Sequence, residues 1–301
     1  MSAPRIIIVG SGGRLGAALL REWRAAGENV TGFPRAELDL ASDAQLHARL
    51  DPLDFDVLVN CAAQTNVDRC ETEQEEAHRI NALAVKTLGE IASRKGARVI
   101  QIGTDYVFDG AKTTPYTEDD PVAPLSIYGA SKCDGEKLLF EVSDQHLVVR
   151  VSWVFGPDRP SFIDGILKRA LHEEKVDAIA DKIAVPTYTL DAARLLRPFL
   201  SEVKASGVLH LCNVGECTWQ RYGQSAIDCA VAAGVPLKGR TVAPLKMADL
   251  KAFVARRPIY TAMSPAKLQR LTGLTVRPWQ AAVEEYVRSY WAPLAVAGRT
   301  A

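Results

Sequence analysis

The 301-residue chain lacks an excess of either charge, with 36 Lys and Arg set against 36 Asp and Glu. Such a balance provides no broad phosphate-tracking face, which argues against nucleic acid as a partner. The chain also lacks any apolar run near the ~18 residues needed to cross a bilayer, so no membrane partner is expected. A strand-like run is under way by Arg5. That leaves no room for a signal peptide, and a cytoplasmic protein is expected. The six cysteines, at positions 61, 70, 133, 212, 217 and 229, include no Cys-x-x-Cys pair and no histidine at zinc-finger spacing. Neither a metal centre nor a disulfide framework is therefore expected. Internal repeats and low-complexity linkers are missing too. What is present is a globular composition, 48% apolar and 24% charged, long enough for one large α/β unit or two coupled lobes.

The N-terminal half alternates short β-branched runs with helical patterns. Arg5–Val9, Asn29–Phe33, Val57–Asn60, Val99–Ile102 and Leu147–Val151 read as strands, several of them apolar throughout, as strands buried on both faces are. Leu15, Leu19, Trp23 and Ala26 recur at helical spacing, with Gly27 as the stop. A long helix is expected over Thr72–Arg94, acidic at its start, which suits the helix dipole. This alternation predicts a Rossmann-type, doubly wound parallel sheet of the α/β class. Beyond residue 155, prolines divide shorter helices and strands, so we expect a cofactor-binding domain over residues 1–155 and a smaller, irregular, interleaved substrate-binding lobe over 156–301. Val296–Ala301 reads as a frayed tail.

The first strand runs into Gly10-Ser11-Gly12-Gly13-Arg14-Leu15-Gly16 and then directly into a helix. Gly10 allows a tight turn, Gly13 lets backbone approach a pyrophosphate, and Gly16 packs helix on strand. Gly10, Gly12, Gly13, Arg14, Leu15 and Gly16 are thus candidate dinucleotide contacts. The second strand ends Phe33-Pro34-Arg35, without the acidic residue that favours NAD. Arg14 and Arg35 suit a 2′-phosphate, which favours NADPH with NADH as the alternative. Both arginines also fit a solvent-facing role, and Asp39 and Leu40 are candidates to border the adenine.

Tyr128 and Lys132, four apart, share one helix face. A lysine ammonium beside a phenol favours the phenolate, lowering a pKa that is ordinarily about 10. A tyrosine so placed exchanges a proton with a carbonyl or alcohol. Thr104 follows the fourth strand, where ligands bind in open α/β sheets. It suits a carbonyl-orienting hydroxyl, or equally a turn cap with Asp105. The pair is common by chance. Its weight comes from the company of Thr104 and the glycine loop.

These motifs resemble the extended short-chain dehydrogenase/reductases, and within them the dTDP-4-dehydrorhamnose reductases. The resemblance spans nearly the whole chain through Asn60-Cys61-Ala62-Ala63-Gln64-Thr65-Asn66-Val67-Asp68, Thr104-Asp105-Tyr106-Val107-Phe108-Asp109-Gly110, Tyr128-Gly129-Ala130-Ser131-Lys132 and Arg150-Val151-Ser152-Trp153-Val154-Phe155-Gly156. The resemblance implies hydride transfer from NAD(P)H to C4 of a dTDP-4-keto-6-deoxy-L-hexose, giving dTDP-L-rhamnose. It implies Tyr128 as proton donor, with Lys132 lowering its pKa and Thr104 orienting the carbonyl. Ala62, Ala63 and Thr65 are implied as cofactor contacts, and Asp105 and Trp153 as contacts of the nucleotide-sugar substrate. The chain departs from the family pattern at Arg14, Ser161 and Ala184. Two alternatives stand beside this one: a reductase of another nucleotide-linked 4-keto-6-deoxysugar, and a non-catalytic NADP-binding subunit similar to the regulatory subunit of methionine adenosyltransferase. A monomer or homodimer is expected.

Overall fold

The computed structural model describes residues 3–201, 204–250 and 253–298. In strand β1 (Arg5–Val9), Ile6 to Val9 are at most 3% exposed, because helices cover both faces of the sheet. The glycine loop leads straight into α1 (Arg14–Ala25), whose Leu15, Leu19 and Trp23 turn inward. Gly27 at φ +83° then carries the chain out, a left-handed conformation that glycine adopts without strain. There follow β2 (Asn29–Phe33), α2 (Asp43–Leu50) and β3 (Val57–Asn60). Next come α3 (Val67–Thr72), α4 (Gln74–His78), a π-helical turn (Arg79–Leu83), α5 (Ala84–Arg94) and β4 (Arg98–Thr104). The expected helix over Thr72–Arg94 is therefore not continuous. It starts five residues earlier, at Val67 under an Asn66 cap, breaks at Glu73 and widens into the π turn. That turn rotates Asn81 inward, a rearrangement that apolar spacing does not encode.

Helix α6 (Ile127–Val142), capped by Ser126, leads to β5 (Leu147–Val151). All strands of the main sheet run parallel, in the order β10-β5-β4-β3-β1-β2, so the winding reverses between β1 and β3. This is the doubly wound α/β sheet, and its strand ends open a crevice at the reversal. The outermost strand, β10, comes from late in the chain.

The second half is built of short pieces. β6 (Val154–Phe155) pairs with β9 (Thr187–Tyr188), after α7 (Phe162–His172), β7 (Val176–Ile179) and β8 (Ile183–Ala184). α8 (Thr189–Leu196) and β10 (Gly207–His210) return to the main sheet. β11 (Cys217–Thr218), α9 (Trp219–Ala232), β12 (Val242–Leu245), α10 (Ala266–Thr272), α11 (Trp279–Tyr286) and α12 (Ala292–Val296) complete the chain. α8 and the 3-10 turn after it cover one face of the sheet beside α1, joining Leu195, Leu196 and Phe199 to Ile6, Ile8, Leu19 and Trp23. The opposite face packs Leu46, Leu88 and Ile91 on Ile7, Val9 and Leu58. Each such side chain contributes about 1.5–3 kcal/mol on burial. A separate aromatic core of Phe155, Tyr188, Tyr222, Trp279 and Tyr286 holds the short pieces together. All six cysteines are free thiols. Among the described residues no helix is long and apolar enough to cross a membrane. Of the expected frayed tail, Val296 closes α12, while residues 299–301 lie outside the described residues.

Candidate active site

A cleft of about 750 Å³ opens above the point where the winding reverses. Gly10, Gly12, Gly13, Arg14 and Leu15 form one wall, and Arg35, Asp39 and Leu40 its far end. Ala62, Ala63 and Thr65, after β3, line the floor, as do Thr104, Asp105, Tyr128, Lys132 and Trp153. Gly16 stands apart from the lining. A Cβ there would lie 2.3 Å from the Gly10 carbonyl oxygen, so Gly16 seats α1 against the turn rather than facing a ligand. Gly10, at φ +79°, would press a Cβ to 2.7 Å from the Ala62 nitrogen. Neither position has room for a side chain, so at Gly10 the cleft surface is backbone.

The two expected phosphate-clamping arginines both line the cleft, and each has a partner within the protein. Arg35 is open to solvent, with Asp39 3.6 Å away as its partner. Arg14 lines the cleft, but its guanidinium is committed to the carbonyls of Arg159 and Pro160 in the second half of the chain. The reason is its position on the first turn of α1, which faces the 157–160 loop.

The proton chemistry sits on α6 and the end of β4. Tyr128 and Lys132 both face the cleft from one side of α6. The phenol is nevertheless not lowered: burial pushes it up to about 12, with the hydrogen-bonded Thr104 hydroxyl pulling the other way. Lys132 Nζ donates to the Ile102 carbonyl at 2.7 Å, and burial brings its ammonium down to about 8. Desolvation thus outweighs the mutual attraction that spacing alone suggested. Of the two readings of Thr104, the structure shows the turn cap. Its Oγ1 accepts the Tyr106 amide at 3.2 Å as a turn cap, yet the same hydroxyl reaches Tyr128.

Asp105 lines the cleft but is only 2% exposed, and its oxygens are engaged. Oδ1 accepts from Thr104 at 3.3 Å, while Oδ2 accepts from Ser152 at 3.1 Å and Thr261 at 2.5 Å. Burial raises its pKa against the pull of Lys182. Trp153 is held at φ +40°, a strained conformation for a bulky residue. Its ring stacks 6.0 Å from Tyr222, and its buried Nε1 has no protein acceptor among the described residues.

A family model for the RmlD substrate binding domain matches residues 4–291. The chain belongs to the RmlD substrate-binding-domain family. It is 32% identical over 292 residues to dTDP-4-dehydrorhamnose reductase of Aggregatibacter actinomycetemcomitans, covering 95% of this chain and 99% of that one. It is 30% identical over 289 residues to the spore coat polysaccharide biosynthesis protein SpsK of Bacillus subtilis, covering 94% and 97%. Among solved structures, dTDP-4-dehydrorhamnose reductase of Bacillus anthracis in complex with NADP matches with a TM-score of 0.86 and 28% identity, over 94% of this chain and 98% of that one.

Three residues of this RmlD-family site escape sequence reasoning. Asn81, 1% exposed in the π turn, donates to the Gln64 carbonyl and to Ser131, and accepts the Gln64 amide at 2.9 Å. It thereby fixes the loop carrying Ala62, Ala63 and Thr65. A polar residue inside an otherwise apolar helical stripe was its one available signal. Lys182 is fully buried, donates to the Pro258 carbonyl at 2.5 Å and lies 4.9 Å over the Tyr106 ring. Arg159 lines the cleft beside the glycine loop.

Proposed function

We propose that this chain is an NADPH-dependent reductase acting on the C4 ketone of dTDP-4-dehydro-L-rhamnose to give dTDP-L-rhamnose, with NADH as the alternative donor. One observation carries this reading. Thr104, Tyr128 and Lys132 meet in the same cleft as a strand–glycine loop–helix unit, in a chain with nearly full-length likeness to reductases of that name. The cleft suits a dinucleotide on its own geometry, since Gly10 leaves no room for a side chain against Ala62 and the first turn of α1, whose amides lack helical acceptors, starts at the cleft wall. Residues 1–155 hold the cofactor, and residues 156–301 form the smaller, interleaved substrate-binding lobe around its own aromatic core. The protein works in the cytoplasm, as a monomer or homodimer, without nucleic-acid or membrane partners.

Bound in this cleft, the nicotinamide supplies the hydride. The protein's residues supply the rest. Tyr128, whose phenol keeps its proton at neutral pH, gives that proton to the ketone oxygen as negative charge develops there. The Lys132 ammonium stabilises the phenolate left behind and holds the nicotinamide ribose. Thr104 orients the carbonyl, and its hydroxyl must turn from Asp105 to do so. Asp105 positions Thr104 and borders the sugar, while Trp153 offers the sugar nucleotide a flat apolar face. The test is NADPH consumption with dTDP-4-dehydro-L-rhamnose, run beside NADH. Turnover faster with NADPH is expected. Tight NADPH binding with no turnover would overturn the assignment of substrate.

A further inference from the structure

The loop between β6 and α7, Gly156-Pro157-Asp158-Arg159-Pro160-Ser161, lies against the glycine loop and is fastened there by arginines working in both directions. Arg14 donates from α1 to the carbonyls of Arg159 and Pro160. In return Arg159 Nε donates to the Gly12 carbonyl at 3.0 Å. Arg21, about two turns further along α1, pairs with Asp158. Two prolines restrict the backbone on either side of Asp158 and Arg159. The Arg159 side chain therefore stands at the cleft wall formed by Gly10, Gly12 and Gly13. Its Nε is anchored, and among the described residues its two Nη groups meet no protein acceptor. The nearby carboxylate, Asp158, already has Arg21.

We infer that Arg159, contributed by the second half of the chain, binds the pyrophosphate of the dinucleotide, and that Arg14 is the strut that keeps its loop in place. The inference rests on the dinucleotide reading of the cleft given above. A guanidinium that donates to the glycine-loop backbone through Nε turns its remaining N–H fork toward whatever anion the loop amides hold. A sugar nucleotide carries a diphosphate as well, but the anchor on Gly12 places Arg159 at the glycine loop, on the cofactor's side. The labour of the cleft's arginines then divides: Arg159 for the pyrophosphate, Arg35 for a 2′-phosphate, and Arg14 for the protein itself.

The test uses the full-length chain and two fragments of the cofactor. ADP-ribose carries the pyrophosphate and no 2′-phosphate, whereas adenosine 2′-monophosphate carries the reverse. Calorimetric titration of Arg159→Ala should show ADP-ribose weakened about tenfold, the scale of one lost charge-assisted contact, with adenosine 2′-monophosphate unchanged within a factor of two. Arg35→Ala should show the opposite pattern. Thermal melting matching the wild type confirms that the Arg159→Ala fold is intact, and Arg159→Lys should recover part of the loss. Unchanged ADP-ribose affinity in Arg159→Ala would overturn the inference. So would a raised KM for the nucleotide sugar with cofactor affinity intact, which would assign Arg159 to the substrate's diphosphate. Failure of the wild-type chain to bind NADPH or ADP-ribose would instead remove the dinucleotide reading on which this rests.

Discussion

Tyr128 and Lys132 hold their protons under opposite pressures, and that difference sets what pH does to the site. Burial keeps the phenol protonated up to about 12, so Tyr128 is a stored proton across the physiological range. Replacing it by Phe removes the donor and leaves the cleft shape intact, and turnover should fall by about 10²-fold or more with NADPH affinity little changed. Lys132 is the group that titrates within reach. Its ammonium is drawn down to about 8 by desolvation. Reduction needs the charged form to stabilise the phenolate, so kcat/KM should be level below that pH and decline above it. In Lys132→Met the rate should be low at every pH and the alkaline limb absent; persistence of the limb would assign it to another group. These two residues were legible from the sequence, because an i, i+4 pair on a capped helix fixes their common face whatever packs around it. Their protonation was not, since desolvation depends on residues far away in the chain. Lys182 was illegible for the same reason: only the folding back of Pro258 and Thr261 buries it beside Tyr106 and Asp105.

At the scale of elements, the junction of α6 with the π turn decides whether the Tyr128 and Lys132 side of the cleft keeps its shape. Gly135 on α6 faces the π turn so closely that a Cβ would lie 2.1 Å from the Asn81 carbonyl oxygen. Gly135→Ala must push α6 off that turn. It should destabilise the fold by about 1–3 kcal/mol and weaken cofactor binding by loosening the Asn81 bonds to Gln64. Gly165, inside α7, supplies the control, because a Cβ there meets nothing within 4 Å. Gly165→Ala should be neutral or stabilising by about 0.5–1 kcal/mol. Denaturant midpoints for the two variants check the contrast, and equal effects would refute the steric account. The strands were readable because burial on both faces demands unbroken apolar runs, as in Ile6–Val9. The segmentation of residues 67–94 was not, because apolar residues at helical spacing serve an α-helix and a π turn alike. The capping at Asn66 and the inward Asn81 are the local clues that periodicity passes over.

The molecule as a whole depends on pieces that return late. Trp23 in α1 donates its indole N–H to the Ala193 carbonyl in α8 at 2.8 Å, and β10 pairs with β5 from Gly207 to His210. A fragment ending at residue 155 keeps the glycine loop, Thr104, Tyr128 and Lys132. It loses the cover over one face of the sheet and the partner of its outermost strand. Such a fragment should show no cooperative thermal transition, measured by circular dichroism, although it carries every proposed proton-transfer group. A sharp transition would show that α8 and β10 are dispensable to the sheet. The pairing of β10 with β5 also has a meaning in time. During synthesis, Leu147–Val151 emerges some sixty residues before the strand that will cover its edge. For that interval the nascent chain presents an unpaired apolar edge, the feature that invites pairing with the wrong neighbour. The glycine loop is made long before β10, yet it faces a finished sheet only once His210 has been added.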